Sequence, residues 1–88
     1  MTVIPFNAVA TVQIETLEGV RLGVSQVQHP TSGVRCLSFT GPEGRRVALV
    51  SRQLVSEVRQ RVWQVCVSNG TSYTVGPVDM ARLRRFAA

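Results

Sequence analysis

Among residues that can do chemistry, this chain offers arginine in number and little else. It holds ten Arg, no Lys, one His, two Cys and five acids in 88 residues, with a formal charge of +5. Catalysis is poorly supplied. His29 stands in a turn beside Pro30, and no carboxylate pair has the spacing of an acid–base dyad. Cys36 and Cys66 lie in apolar runs, with no base nearby in sequence to activate them and no second Cys or His at metal-ligand spacing. They read as reduced, buried thiols, not a disulfide or a zinc site. The loop Gly41-Pro-Glu-Gly44 lacks the Lys and the helix start of a phosphate loop. The expectation is a protein that is not an enzyme and needs no cofactor and no metal.

Arginine suits phosphate and carboxylate through its planar fork of donors. The absence of Lys is not by itself a phosphate signature, however. Sixteen Val against two Ile show a GC-rich codon bias that also trades Lys for Arg. Placement is more informative than number. Arg45 and Arg46 group with Arg52, Arg59 groups with Arg61, and Arg82 groups with Arg84 and Arg85. Arg52, Arg59 and Trp63 would share a face if a helix ran that far. A basic stripe beside an aromatic ring is how a sequence-tolerant single-strand site is built. The candidate nucleic-acid-binding residues are therefore Arg45, Arg46, Arg52, Arg59, Trp63, Arg82, Arg84 and Arg85. Arg21 and Arg61 are expected to pair with Glu15 and Glu57. The plainer reading makes Trp63 a core residue and the arginines a solvated face.

The elements that must position these residues follow from periodicity. Residues 8–17 and 20–28 alternate apolar and polar, as half-buried strands do. A three-residue loop between them sets Ile14 opposite Leu22 and Val12 opposite Val24, leaving Glu15 opposite Arg21. Gly19 then takes the left-handed bulge position. After the His29–Gly33 turn come strands at 34–40 and 46–50, with a register that pairs Phe39 with Val47 and Leu37 with Leu49. Leu54, Val55, Val58 and Val62 mark a helix over 51–61, about three turns long, with Ser51 as its N-cap. Residues 62–67 read as a central strand. The Asn69-Gly70 turn favours a two-residue hairpin that pairs Cys66 with Tyr73 and Gln64 with Val75. A short helix over 80–86 closes the chain, capped by Asp79, with Met80, Leu83 and Phe86 inward.

The expected fold is α+β: a mostly antiparallel sheet or small barrel of five to six strands, with one central helix and a short C-terminal helix, in the order ββββαββα. Dropping one strand would give the order of an OB-like barrel, but no OB motif accompanies it. Residues 1–88 are expected to form a single domain, with 1–7 irregular. No signal peptide, lipidation signal or membrane span is evident, so a cytoplasmic protein without membrane contact is expected. Two partner classes stand out. One is nucleic acid, contacted through Arg. The other is a protein, with this chain an inhibitor or accessory subunit encoded by a phage or mobile element. The second draws on a charged fraction of 17%, below the ~25% of ordinary domains. It also draws on sheet edges that a partner, or a second copy in a homodimer, would cover.

Overall fold

The computed structural model describes residues 11–66 and 70–88. The expectation for 1–7, the start of the first strand, the Asn69 turn tip and the Cys66 thiol lie outside what is described. The elements are β1 (Thr11–Glu15), β2 (Arg21–Gln28), β3 (Arg35–Thr40), β4 (Arg46–Ser51), α1 (Arg52–Glu57), β5 (Trp63–Cys66), β6 (Ser72–Val75) and α2 (Pro77–Ala87). This is the order ββββαββα of a small α+β fold. The strands form two antiparallel sheets, β1-β2-β3-β4 and β5-β6. The second is separate from the first, so β5 is not a central strand.

The first hairpin follows its apolar pattern. Ile14 faces Leu22, Val12 faces Val24 and Glu15 faces Arg21. Gly19 adopts φ +85°, a conformation that a Cβ would strain. Thr16 closes the loop, its N–H donating to the Val20 carbonyl at 2.9 Å and its Oγ1 accepting the Val20 N–H at 3.1 Å.

The β3–β4 register departs from expectation beyond one pair. Thr40 faces Arg46, in agreement with the expected loop, but Phe39 then faces Ala48 and Leu37 faces Val50. Val47 is left over as a β-bulge. An extra residue lets two consecutive apolar side chains turn inward: both Val47 and Ala48 pack against the core. Leu49 is rotated to the outer face and is 38% exposed.

The last hairpin is also one residue from expectation. Trp63 faces Val75, Val65 faces Tyr73 and Cys66 faces Ser72. This register keeps Trp63, Val65, Tyr73 and Val75 on one face, with Val65 and Val75 buried. The two-residue turn would have set Gln64 against Val75, and a slip of one residue exchanges the faces.

The expected helix over 51–61 shrinks to the six residues of α1. Ser51 caps it as anticipated, accepting the Leu54 N–H at 3.1 Å. Val58 is already extended, with φ −64° and ψ 124°. Val55 and Val58 are buried, whereas Leu54 and Val62 are exposed. Three β-branched valines are weak helix formers, and a short helix lasts only as far as packing supports it. The support is α2.

Helix α2 is longer than expected, with Gly76 at its N-cap and Pro77 in its first turn. Its buried face is Met80, Leu83 and Ala87, and Phe86 is only half-buried. The two helices and the β5-β6 sheet cover the apolar face of the large sheet. Their shared core gathers Ile14, Leu22, Val24, Leu37, Phe39, Val55, Val65, Val75, Met80 and Leu83. Each fully buried Leu or Val contributes about 1.5–3 kcal/mol.

Candidate functional site

Strand direction decides where each arginine lies. The loops 16–20 and 41–45 sit at one end of the four-stranded sheet, called here the hairpin end. The loop 29–34, the start of α1 and the last turn of α2 sit at the other, the groove end. Two bonds fix the direction of α2. The Glu15 N–H donates to Asp79 Oδ2 at 3.0 Å near the helix start. Gln26 Nε2 donates to the Phe86 carbonyl at 2.7 Å near its finish.

The hairpin end is charge-balanced. It holds Glu15, Glu18, Glu43 and Asp79 together with Arg21, Arg45, Arg46 and Arg82. Arg82 forms an ion pair with Asp79 at 2.9 Å, with its side chain still 39% exposed. Arg21 lines a cleft with Glu15, Asp79 and Arg82. It faces Glu15 in register, but the two are not an ion pair. Arg46 Nε donates to the buried Ser38 Oγ at 2.9 Å. Arg45 is exposed in the loop, and its carbonyl takes the Gly41 N–H.

Glu18 ties the small sheet to this end. Its carboxylate accepts the Thr74 N–H at 2.8 Å and the Thr74 hydroxyl at 2.7 Å. The backbone bond from Thr74, and then its hydroxyl, hold the carboxyl below the ordinary glutamate range. The Leu17 N–H adds a bond to the Thr74 carbonyl at 2.9 Å.

The groove end is different. Cys36 faces Ser51 across β3 and β4, so Arg35 and Arg52 are the next residues outward on the two chains. Both line one groove of about 440 Å³ with Val34, Gln53, Ser56, Ala87 and Ala88. Arg35 also lines a second groove, about 220 Å³, with Gln26, Val27 and Gln28. Arg84 and Arg85 occupy the last turn of α2, where positive charge suits the helix dipole. Arg84 Nη1 reaches the Val58 carbonyl at 3.4 Å and ties α2 to the chain beyond α1. Among the described residues, the side chains of Arg35, Arg52 and Arg85 have no hydrogen-bond or ion-pair partner, as is also true of Arg21, Arg45, Arg59 and Arg61. The acid on α1, Glu57, is engaged by Gln53 Nε2 at 3.1 Å, not by Arg61.

Of the sequence-stated candidates, the structure therefore gathers Arg52, Arg84 and Arg85. It separates Arg45 and Arg46 from Arg52 by the length of β4, roughly 20 Å. Arg59 lies beyond the end of α1, on no common helical face with Arg52. Trp63 packs against the core of the fold. It is half-buried and meets Phe39 edge-on, with ring centroids 6.1 Å apart at 61°. Such an aromatic pair is a packing contact.

Arg35 was missed. The signal was present, because antiparallel strands put the start of the third strand beside the start of the first helix. His29 is a turn-former: its Nδ1 accepts the Thr31 and Ser32 N–H groups at 3.2 and 3.3 Å. Cys36 is a free, buried thiol. Among the described residues no group of His, Cys, Asp and Glu is placed to hold a metal. No helix there is long and apolar enough to cross a membrane. Comparison of the chain with protein-family models, curated proteins and solved structures finds no match.

Proposed function

We propose that this chain is a non-enzymatic binding module that contacts the phosphate backbone of nucleic acid through its groove end. The observation that carries the reading is the partition of charge. Four arginines lie with four acids at the hairpin end, whereas at the groove end Arg35 and Arg52 line one groove, Arg84 and Arg85 stand in the last turn of the helix whose end also lines it, and Glu57 is the nearby acidic side chain among the described residues. A surface with an excess of positive charge attracts a polyanion and steers its approach. With Trp63 packed edge-on against Phe39, the reading rests on backbone charge and not on stacked bases.

The test is a salt titration of binding to duplex and single-stranded oligonucleotides of several sequences. Three or four phosphate contacts on duplex predict a log–log slope near −3, a loss on the order of 10² between 50 and 200 mM salt. Duplex, with the denser charge, is expected to bind more tightly, with little dependence on sequence. Weak binding at low salt, or a flat slope, defeats the reading.

A second reading is a protein-binding inhibitor or accessory subunit, and one observation favours it. Val34 and Leu54 are about half exposed on the two segments that carry Arg35 and Arg52, an apolar rim suited to an acidic protein surface. A partner that survives nuclease treatment and is lost on Leu54→Ser would support that reading over the first.

A further inference from the structure

We infer that Arg35 and Arg52 act together as a two-armed clamp for a single phosphate group. Naming a nucleic-acid backbone as the source of that phosphate rests on the function proposed above; the clamp itself rests on local geometry. The two residues follow the Cys36–Ser51 register pair outward on adjacent chains, and both line the same groove. Like charges brought to the same groove repel each other. Among the described residues no acidic side chain forms an ion pair with either. Glu57 is engaged by Gln53 within its own helix, and the four other acids lie at the hairpin end. Gln28, beside Arg35, is also engaged, its Nε2 donating to the Gly33 carbonyl at 3.0 Å.

Two arginines from different elements that line one groove without an ion-pair partner make a site that an anion would complete. Each fork can present paired N–H donors to phosphate oxygens, and such charge-assisted bonds are the strong ones. The clamp differs in kind from Arg84 and Arg85. Arg84 is partly engaged by the Val58 carbonyl, and Arg85 is exposed on the helix, so these two supply field more than fixed contacts.

The experiment titrates inorganic phosphate into the full chain and follows the Nε–H signals of all ten arginines by NMR. Arg35→Gln, Arg52→Gln, the double variant and Arg45→Gln are run beside it. The expected result is that Arg35 and Arg52 shift together with one dissociation constant. Each single substitution should weaken phosphate about tenfold or more. The double variant should be little worse than either single, because the two act as one unit. Arg45→Gln should change nothing. Equal shifts at Arg21, Arg45 and Arg59, or an undiminished Arg52 response in Arg35→Gln, overturns the clamp. All variants must keep the dispersed amide spectrum of the parent, and a duplex oligonucleotide is titrated into each. Duplex binding unaffected by either substitution sinks the clamp and leaves the nucleic-acid reading standing. Phosphate held by both arginines in a chain that ignores duplex upholds the clamp and sinks that reading.

Discussion

The two ends of the large sheet are built alike and charged differently. Each joins antiparallel strands by a tight turn with a left-handed glycine: Gly19 and Gly44 at the hairpin end, Gly33 at the groove end. At the hairpin end four of the eight charged side chains are working parts of the fold. Asp79 binds Arg82 and the Glu15 N–H, Glu18 binds Thr74, and Arg46 binds Ser38. At the groove end neutral groups tie Gln26 to Phe86 and hold the His29 turn together, apart from the Arg84 contact. The side chains of Arg35, Arg52 and Arg85 hold nothing in place. Charge that the fold uses is no guide to a ligand; charge that it leaves unused is.

That contrast can be broken most sharply at Arg52. Arg52→Glu gives Arg35 a partner within the chain and places an acid in the first turn of α1. Affinity for duplex should fall on the order of 10², the loss of two charge-assisted contacts. Stability should rise by about 0.5 kcal/mol, since a like-charge pair is removed and the helix dipole is better matched. Affinity and thermal unfolding measured on the same sample check both halves. A variant that binds less only because it is less stable contradicts the account.

A smaller effect is expected at the other end. Asp79→Asn weakens the tie to the Glu15 N–H and releases Arg82. The pair is partly exposed, so the cost should be about 1 kcal/mol, seen in urea unfolding. The freed Arg82 adds an unmatched charge to the balanced end. The salt dependence of duplex binding should then steepen slightly. A loss of affinity would show that the hairpin end takes part in binding.

The smallest effect concerns pH. The folded Glu18 carboxyl is held below its ordinary range by Thr74. A depressed carboxyl stabilises the fold above its unfolded value and ceases to do so as pH falls through the folded value. Hydrogen exchange at the Leu17 and Thr74 amides, corrected for intrinsic rates, should therefore gain protection as pH rises through the acid range and then level off. Glu18→Gln should abolish that dependence and leave exchange at the groove end untouched. A pH response that persists in Glu18→Gln assigns it to another acid.

Much of this arrangement was legible before any coordinates. Strict alternation in the first hairpin gives the register of Ile14, Leu22 and Val24, because only one pairing keeps polar and apolar faces apart. The same argument applied to the last hairpin would have paired Trp63 with Val75; turn chemistry at Asn69-Gly70 pointed one residue away. Burial of a whole face outweighs the preference of one turn. The bulge at Val47 was not legible, since it answers to the packing of Phe39 against Ala48 and leaves no mark in the pattern. The end of α1 was hidden similarly. Leu54 and Val62 complete a helical stripe in sequence but find no neighbour in space. At the site, Arg52, Arg84 and Arg85 were visible as types without a common location. Arg35 was overlooked because it stands singly, and grouping by sequence proximity cannot join residues from β3, α1 and α2.

The central claim is that binding resides at one end. The direct measurement compares two chains that each lose four arginines to glutamine. One loses Arg35, Arg52, Arg84 and Arg85, and the other loses Arg21, Arg45, Arg46 and Arg82. Each has the same net charge, so overall electrostatics cannot distinguish them. Duplex affinity is measured from 50 to 200 mM salt in both. The first chain should lose nearly all measurable affinity and its salt slope. The second should keep a slope within about one of the parent. Equal losses in the two chains would mean that the protein binds through its net charge alone, and the partition of its arginines would then have no functional meaning.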